Sequence, residues 1–176
     1  MNKLFKKTNS KESILYNNIL LLSRNKLFYT KFFINDTFQN RINLIFLHIS
    51  FLFIKINRKK DNKKYKTFYQ NMFDLTFIKI EQNMRELGYG DTVVNKNMKF
   101  LVKNFYNILL NCESYKTKSD NLKNSFFHKY LHQSNNKNKL NNVGLIDYFN
   151  KYEVFCLDLS MDSVLQGSLK FNIKHI

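Results

Sequence analysis

Residues 42–56, INLIFLHISFLFIKI, are the most apolar stretch of the chain, and they constrain everything around them. The run is 15 residues long and carries Asn43, His48, Ser50 and Lys55. As a helix it reaches roughly 22 Å, short of a hydrocarbon core of about 30 Å, so it reads as a buried central helix rather than a membrane span or an interfacial helix. A helix apolar on every side needs partners on every side. The rest of the chain is expected to supply them as further helices, because the usual breakers are nearly absent: there is no proline and there are four glycines in 176 residues.

Caps and apolar spacing place those helices. A first segment, 12–23, opens on Asn9 with Glu12 three residues later, a capping-box spacing, and a short helix over 25–33 follows. Asp36 with Gln39 repeats that spacing just before the apolar run, so Asp36 is the expected cap of the central helix. NRKKDNKKYK, 57–66, reads as a charge-dense connector. Phe73, Phe77, Ile80, Met84 and Leu87 then fall on one stripe of a helix over 67–87, with Glu81 and Arg85 four apart in the favourable order.

In MRELGYGD, 84–91, two of the four glycines stand one residue apart. Gly88 is expected to end the helix in the left-handed conformation, Gly90 to take a second unusual backbone angle, and Asp91 to bond amides of the turn or of the next helix. A turn of about six or seven residues leads to a helix from near Asn95 to about residue 113, with Met98, Leu101, Val102, Phe105, Leu109 and Cys112 inward. Residues 114–121 are polar, helices are expected over 122–132 and 144–157 with the loop SNNKNKLNN (134–142) between them, and Gly167 stops a small terminal unit. The fold class is all-α: a single compact multi-helix domain over 12–173 behind a flexible basic N-terminus, 1–11.

Composition bounds the chemistry. A hydrophobic share of 44%, with 18 Phe and 10 Tyr, is ample for a packed interior and excludes a disordered chain. The net charge of +16 and isoelectric point near 9.8 point to nucleic acid, anionic lipid or an acidic partner. The absence of Ala, Pro and Trp beside abundant Asn, Lys, Phe and Ile also fits A+T-biased coding, which adds solvated lysines without a ligand; both readings stay open. Cys112 and Cys156 lack a CxxC partner and read as structural thiols in a reducing compartment.

GYGD lacks the lysine and hydroxyl of a phosphate loop and the third glycine of a dinucleotide fingerprint. His128 and His132 are four apart but have no third ligand and no adjacent glutamate, so no metal is expected. His48, alone in the apolar run, reads as a hydrogen-bonded core residue or, less simply, a ligand. No nucleophile stands at a suggestive spacing from a base; neither an enzyme nor a cofactor is expected. The start, MNKLFKKTNSKES, has no long apolar stretch behind it, so it is not a secretory signal, and it is short for a mitochondrial presequence.

The order of these features resembles the ubiquinol–cytochrome c chaperone family, assembly factors for respiratory complex III. FYTKFFINDTFQNR, the Leu47–His48 pair, FDLTF (73–77), MRELGYGD followed by NFYNIL, and a weaker tail from LIDYFNKYEV to GSLKF carry the likeness, which spans roughly 15–171. The resemblance implies a compact helical protein without catalytic activity. Mitochondrial members act with a small partner subunit, can associate with the mitochondrial ribosome, and hold newly made cytochrome b until other complex III subunits and haem chemistry are in place.

Asp36, Arg41, His48, Asp74, Arg85, Glu86, Gly88, Gly90 and Asp91 match the family pattern and are the expected partner-binding residues. Part of the set also reads as architecture, with Asp74 and Arg41 or Arg85 in an interior polar network. Arg85, Glu86 and Asp91 flank an exposed turn and are best placed for contact. The chain departs from the pattern at Asn95, where proline is common, and at Lys79, where an acid is common. The resemblance implies a cytoplasmic location peripheral to the inner membrane in a bacterium, or the matrix side in a mitochondrion. An alternative of another class is a basic helical RNA- or ribosome-binding protein, marked by sequence-independent affinity that collapses with salt.

Overall fold

The structure, a computed structural model, describes residues 10–58, 62–131 and 143–172. Its helices, in chain order, are α1 (Lys11–Ser23), α2 (Leu27–Thr30), α3 (Phe38–Asn57), α4 (Lys63–Glu86), α5 (Asp91–Glu113), α6 (Asp120–Tyr130), α7 (Val143–Asp158) and α8 (Met161–Leu165), with a 3-10 turn at Tyr115–Thr117. Among the described residues there is no β-strand, and no helix is long and apolar enough to cross a membrane.

The apolar run becomes the middle of α3. Residues 42–53 are all buried, because α1, α4, α5 and α7 pack around this one rod. Its polar members are satisfied inside except Ser50, whose buried hydroxyl has no hydrogen-bond partner among the described residues: Asn43 accepts from Gln39 Nε2 (3.0 Å) and Asn104 Nδ2 (2.8 Å) and donates to the Tyr130 carbonyl (2.5 Å). Lys55 Nζ donates to the Leu157 carbonyl at 2.5 Å, tying the end of α3 to that of α7. Such partners offset most of the cost of burying polar groups in a core.

Aromatic side chains fill the spaces between helices. Phe105 of α5 meets Phe46, Phe53, Phe73 and Phe77 with ring centroids 5.2–5.8 Å apart. On the other flank, Tyr115, expected in a polar segment, is fully buried against Phe51 and Phe127. Cys112 and Cys156 are free and buried, and burial pushes both thiols well above the ordinary range.

Several boundaries move. The cap of α1 is Ser10, whose hydroxyl accepts from Ser13 N; Asn9, the expected cap, lies outside the described residues, as do 1–8 and the loop at 134–142. The cap of α3 is Thr37, accepting from Asn40 N, and not Asp36. Asp36 is drawn away by Arg41, with which it forms two hydrogen bonds of 2.5 and 2.7 Å, and Gln39 turns to Asn43. The capping box therefore does not form, and Thr37→Ala should lower stability by about 1 kcal/mol. Urea midpoints of Thr37→Ala and Asp36→Ala check this: the threonine change should be the larger. The basic connector is shorter than expected, since α4 already begins at Lys63. Leu87, the last residue of the expected core stripe, is 62% exposed because α4 has ended before it.

Candidate functional site

Gly88 has φ +86°, the left-handed angle expected of it. The amide of Tyr89 donates to the Met84 carbonyl (3.1 Å) and that of Gly88 to the Arg85 carbonyl (3.0 Å), the paired bonds that close a helix end on a left-handed glycine. Gly90 departs from expectation. Its φ of −70° and ψ of 158° are ordinary extended values, and it is the N-cap of α5, which starts at Asp91 and not near Asn95. The turn is thus only four residues, Leu87 to Gly90, and holds α4 and α5 in a tight antiparallel hairpin.

Two consequences separate the glycines. A Cβ at either position meets no atom within 4 Å, so only backbone angle matters. Gly88→Ala should cost about 1 kcal/mol through the left-handed angle. Gly90→Ser should be neutral or stabilising, because a serine at an N-cap satisfies a free first-turn amide. Thermal unfolding of the two variants should move in these different ways.

Arg85 bridges the elbow. Its Nε and Nη2 donate to Glu81 Oε1 at 3.0 and 2.9 Å, and its Nη1 donates to Asp91 Oδ1. The hydrogen bond to Asp91, then that to Glu81, holds the guanidinium pKa above its usual value. Asp91 also sits in the first turn of α5, where a negative charge complements the exposed amides. Asp91 was expected to bond those amides; Arg85 takes its carboxylate instead.

The N-terminal end of α3 lies against this elbow. Phe38 and Tyr89 stack with centroids 6.4 Å apart, bringing the half-exposed Asp36–Arg41 pair to the same end of the molecule. The hydrogen bond from Arg41 holds the Asp36 carboxyl below the usual range. Between α1, α3 and α4 opens a cavity of about 220 Å³, lined by the buried Ile42, Ile45 and Ile80 and by Arg24, Arg41 and Glu86. Asp36, Arg41, Arg85, Glu86, Gly88, Gly90 and Asp91 are therefore one cluster. Phe38, Tyr89 and Arg24 belong to it and were not singled out by sequence.

Two expected members stand apart. Asp74 is exposed midway along α4, accepts from Gln70 Nε2 at 2.8 Å and contacts neither Arg41 nor Arg85, so the interior network of these three does not form. Each arginine is instead satisfied by a nearer carboxylate. His48 is wholly buried in the core, away from the elbow cluster. Its Nδ1 lies 2.6 Å from the Leu44 carbonyl and its Nε2 2.7 Å from the Tyr148 hydroxyl. Burial pushes its pKa down to about 4, so the ring is neutral, donating from Nδ1 and accepting the tyrosine proton at Nε2. Among the described residues no group of three His, Cys, Asp or Glu could hold a metal ion; of the sequence pair, His128 is exposed on α6 and His132 lies outside them.

Comparison with known proteins settles the family. The model of the ubiquinol-cytochrome C chaperone family matches residues 30–171. The chain belongs to the ubiquinol–cytochrome c chaperone family. Every one of the nine residues carried over from the resemblance lies inside the matched span. The fold is likewise that of a solved structure, the crystal structure of the Cbp3 homolog from Brucella abortus, at 21% identity and TM-score 0.76, covering 92% of this chain and 88% of that one. No curated protein matches the chain. Membership in this chaperone family ties the protein to complex III assembly.

Proposed function

We propose that this chain is a non-catalytic assembly chaperone that holds newly made cytochrome b, shielding its haem-free apolar helices until the other complex III subunits join. The observation that carries the reading is the family match, whose span of residues 30–171 takes in the α3 start and the α4–α5 elbow. In this proposal the exposed aromatic and aliphatic side chains supply affinity, while the ionic elbow of Arg85, Glu86 and Asp91, with Asp36–Arg41 beside it, sets the orientation of the client. The protein works against the inner membrane from the cytoplasmic side, or from the matrix side in a mitochondrion, and a small partner subunit or the ribosome joins it there.

Removing the gene is expected to lower assembled complex III and cytochrome b severalfold or more while other respiratory complexes stay near normal. Unchanged complex III would end the proposal. Photo-crosslinkers substituted at Arg85 and Asp91 should attach to cytochrome b in cells; attachment only to ribosomal RNA would favour a basic RNA-binding protein instead.

A further inference from the structure

The inner side of α5 is an ordinary core stripe of Leu101, Phe105, Ile108 and Cys112. Its opposite side is not an ordinary solvated face. Lys96, Lys99, Lys103, Tyr106 and Leu110 recur there at steps of three and four residues, with Phe100 one turn on from Lys96, forming one stripe roughly 21 Å long. Phe100 is 58%, Tyr106 46% and Leu110 62% exposed. Tyr106 is held in place by Phe73 and Phe105, with centroids 5.8 and 5.7 Å away. No acidic residue interrupts α5 between Asp91 and Glu113, and Asp91 is already paired with Arg85. The three lysines form no ion pair among the described residues.

We propose that the outer face of α5 is a docking surface for an anionic lipid bilayer. The chemistry is complementary at both levels of the interface: ammonium groups meet headgroup phosphates, while Phe100, Tyr106 and Leu110 enter the boundary between headgroups and acyl chains. Solvated lysine drift explains the cations but not the large apolar side chains interleaved with them. Polynucleotide fits less well, since an aliphatic Leu110 on a convex helix offers neither stacking nor a groove to track a backbone. The proposal deepens the reading that the protein works at the membrane, by naming the surface that meets it.

The test uses the full chain in co-sedimentation with vesicles of phosphatidylcholine alone and of phosphatidylcholine with phosphatidylglycerol. Binding is expected only to the second. Lys96→Gln/Lys99→Gln/Lys103→Gln should weaken it on the order of 100-fold, and Phe100→Ser/Leu110→Ser on the order of tenfold. All five side chains are exposed, so thermal unfolding should stay near the parent's and confirms that folding is intact. Lys63→Gln/Lys64→Gln/Lys66→Gln, on the exposed start of α4, controls for charge alone and should leave binding within about threefold.

Equal loss from the α4 and α5 lysine variants, no effect of Phe100→Ser/Leu110→Ser, or α5-dependent binding to RNA in place of vesicles would each overturn the proposal. Its failure is separable from that of the chaperone reading. A protein that ignores vesicles can still be required for complex III, and one that binds them through α5 can still prove dispensable for it.

Discussion

His48→Ala should be among the most damaging single changes in the protein, lowering stability by about 3–5 kcal/mol in urea denaturation. The imidazole sits among Phe28, Tyr148, Phe149 and Tyr152, with centroids 4.8–5.8 Å away. Truncation opens a cavity there and leaves the Tyr148 hydroxyl without its acceptor. His48→Phe separates the two effects: it refills the volume but not the hydrogen bond, and should cost about 1–3 kcal/mol.

The same residue makes stability depend on pH. The folded pKa is about 4 against an ordinary 6.5, so in the window between them the unfolded chain binds a proton that the folded one excludes. The contribution is fully present above pH 6.5 and is lost as pH falls toward 4, about 2 kcal/mol of it by pH 5. Measuring urea midpoints at pH 7 and pH 5 checks this. His48→Phe should flatten that part of the profile; an unchanged slope would show that other groups carry it.

The second large effect is expected at Gly167. Its φ is +74°, and a Cβ there would lie 2.9 Å from the Leu15 amide nitrogen, the Lys11 carbonyl oxygen and Ile14 Cγ2. Two of these atoms are backbone of α1 and cannot swing aside. The glycine also ends α8, with Ser168 N bonded to the Ser163 carbonyl at 2.9 Å, and its own carbonyl accepts from Asn18 Nδ2 at 2.7 Å. Gly167→Ala should therefore cost about 2–4 kcal/mol, a fall in melting temperature on the order of 10 °C. Gly144→Ala is the comparison. There the clash is with the Phe32 ring at 2.8 Å, a side chain and not backbone, and φ is not left-handed, so the loss should be smaller.

What sequence disclosed and what it hid divide along physical lines. The burial of α3, the glycine stops at 88 and 167 and the inward stripe of Phe77, Ile80 and Met84 are set by local periodicity and backbone sterics, and were legible. The choice of cap was not. Asp36 and Thr37 both suit the role, and a salt bridge from Asp36 to Arg41 in the first turn of α3, a competitor that the capping spacing does not weigh, decides between them. Gly90 looked like a second left-handed position, but an N-cap also tolerates glycine and needs no unusual angle. The elbow itself was readable as MRELGYGD, whereas the approach of α3's first turn through Phe38 and Tyr89 is a contact across some fifty residues that no local pattern encodes. The arginines mark that end in the sequence itself. In a chain whose cations are overwhelmingly lysine, only four are arginine, and Arg24, Arg41 and Arg85 all gather at this end.

The sealed thiols of Cys112 and Cys156 make the molecule its own stopwatch. An alkylating reagent reacts with thiolate, and neither sulfur is ionised or reachable while the helices are closed. Iodoacetamide therefore marks only molecules that have opened, and its rate of incorporation clocks breathing of the α5 and α7 packing in a crude lysate, with no engineered label and with or without a client in place.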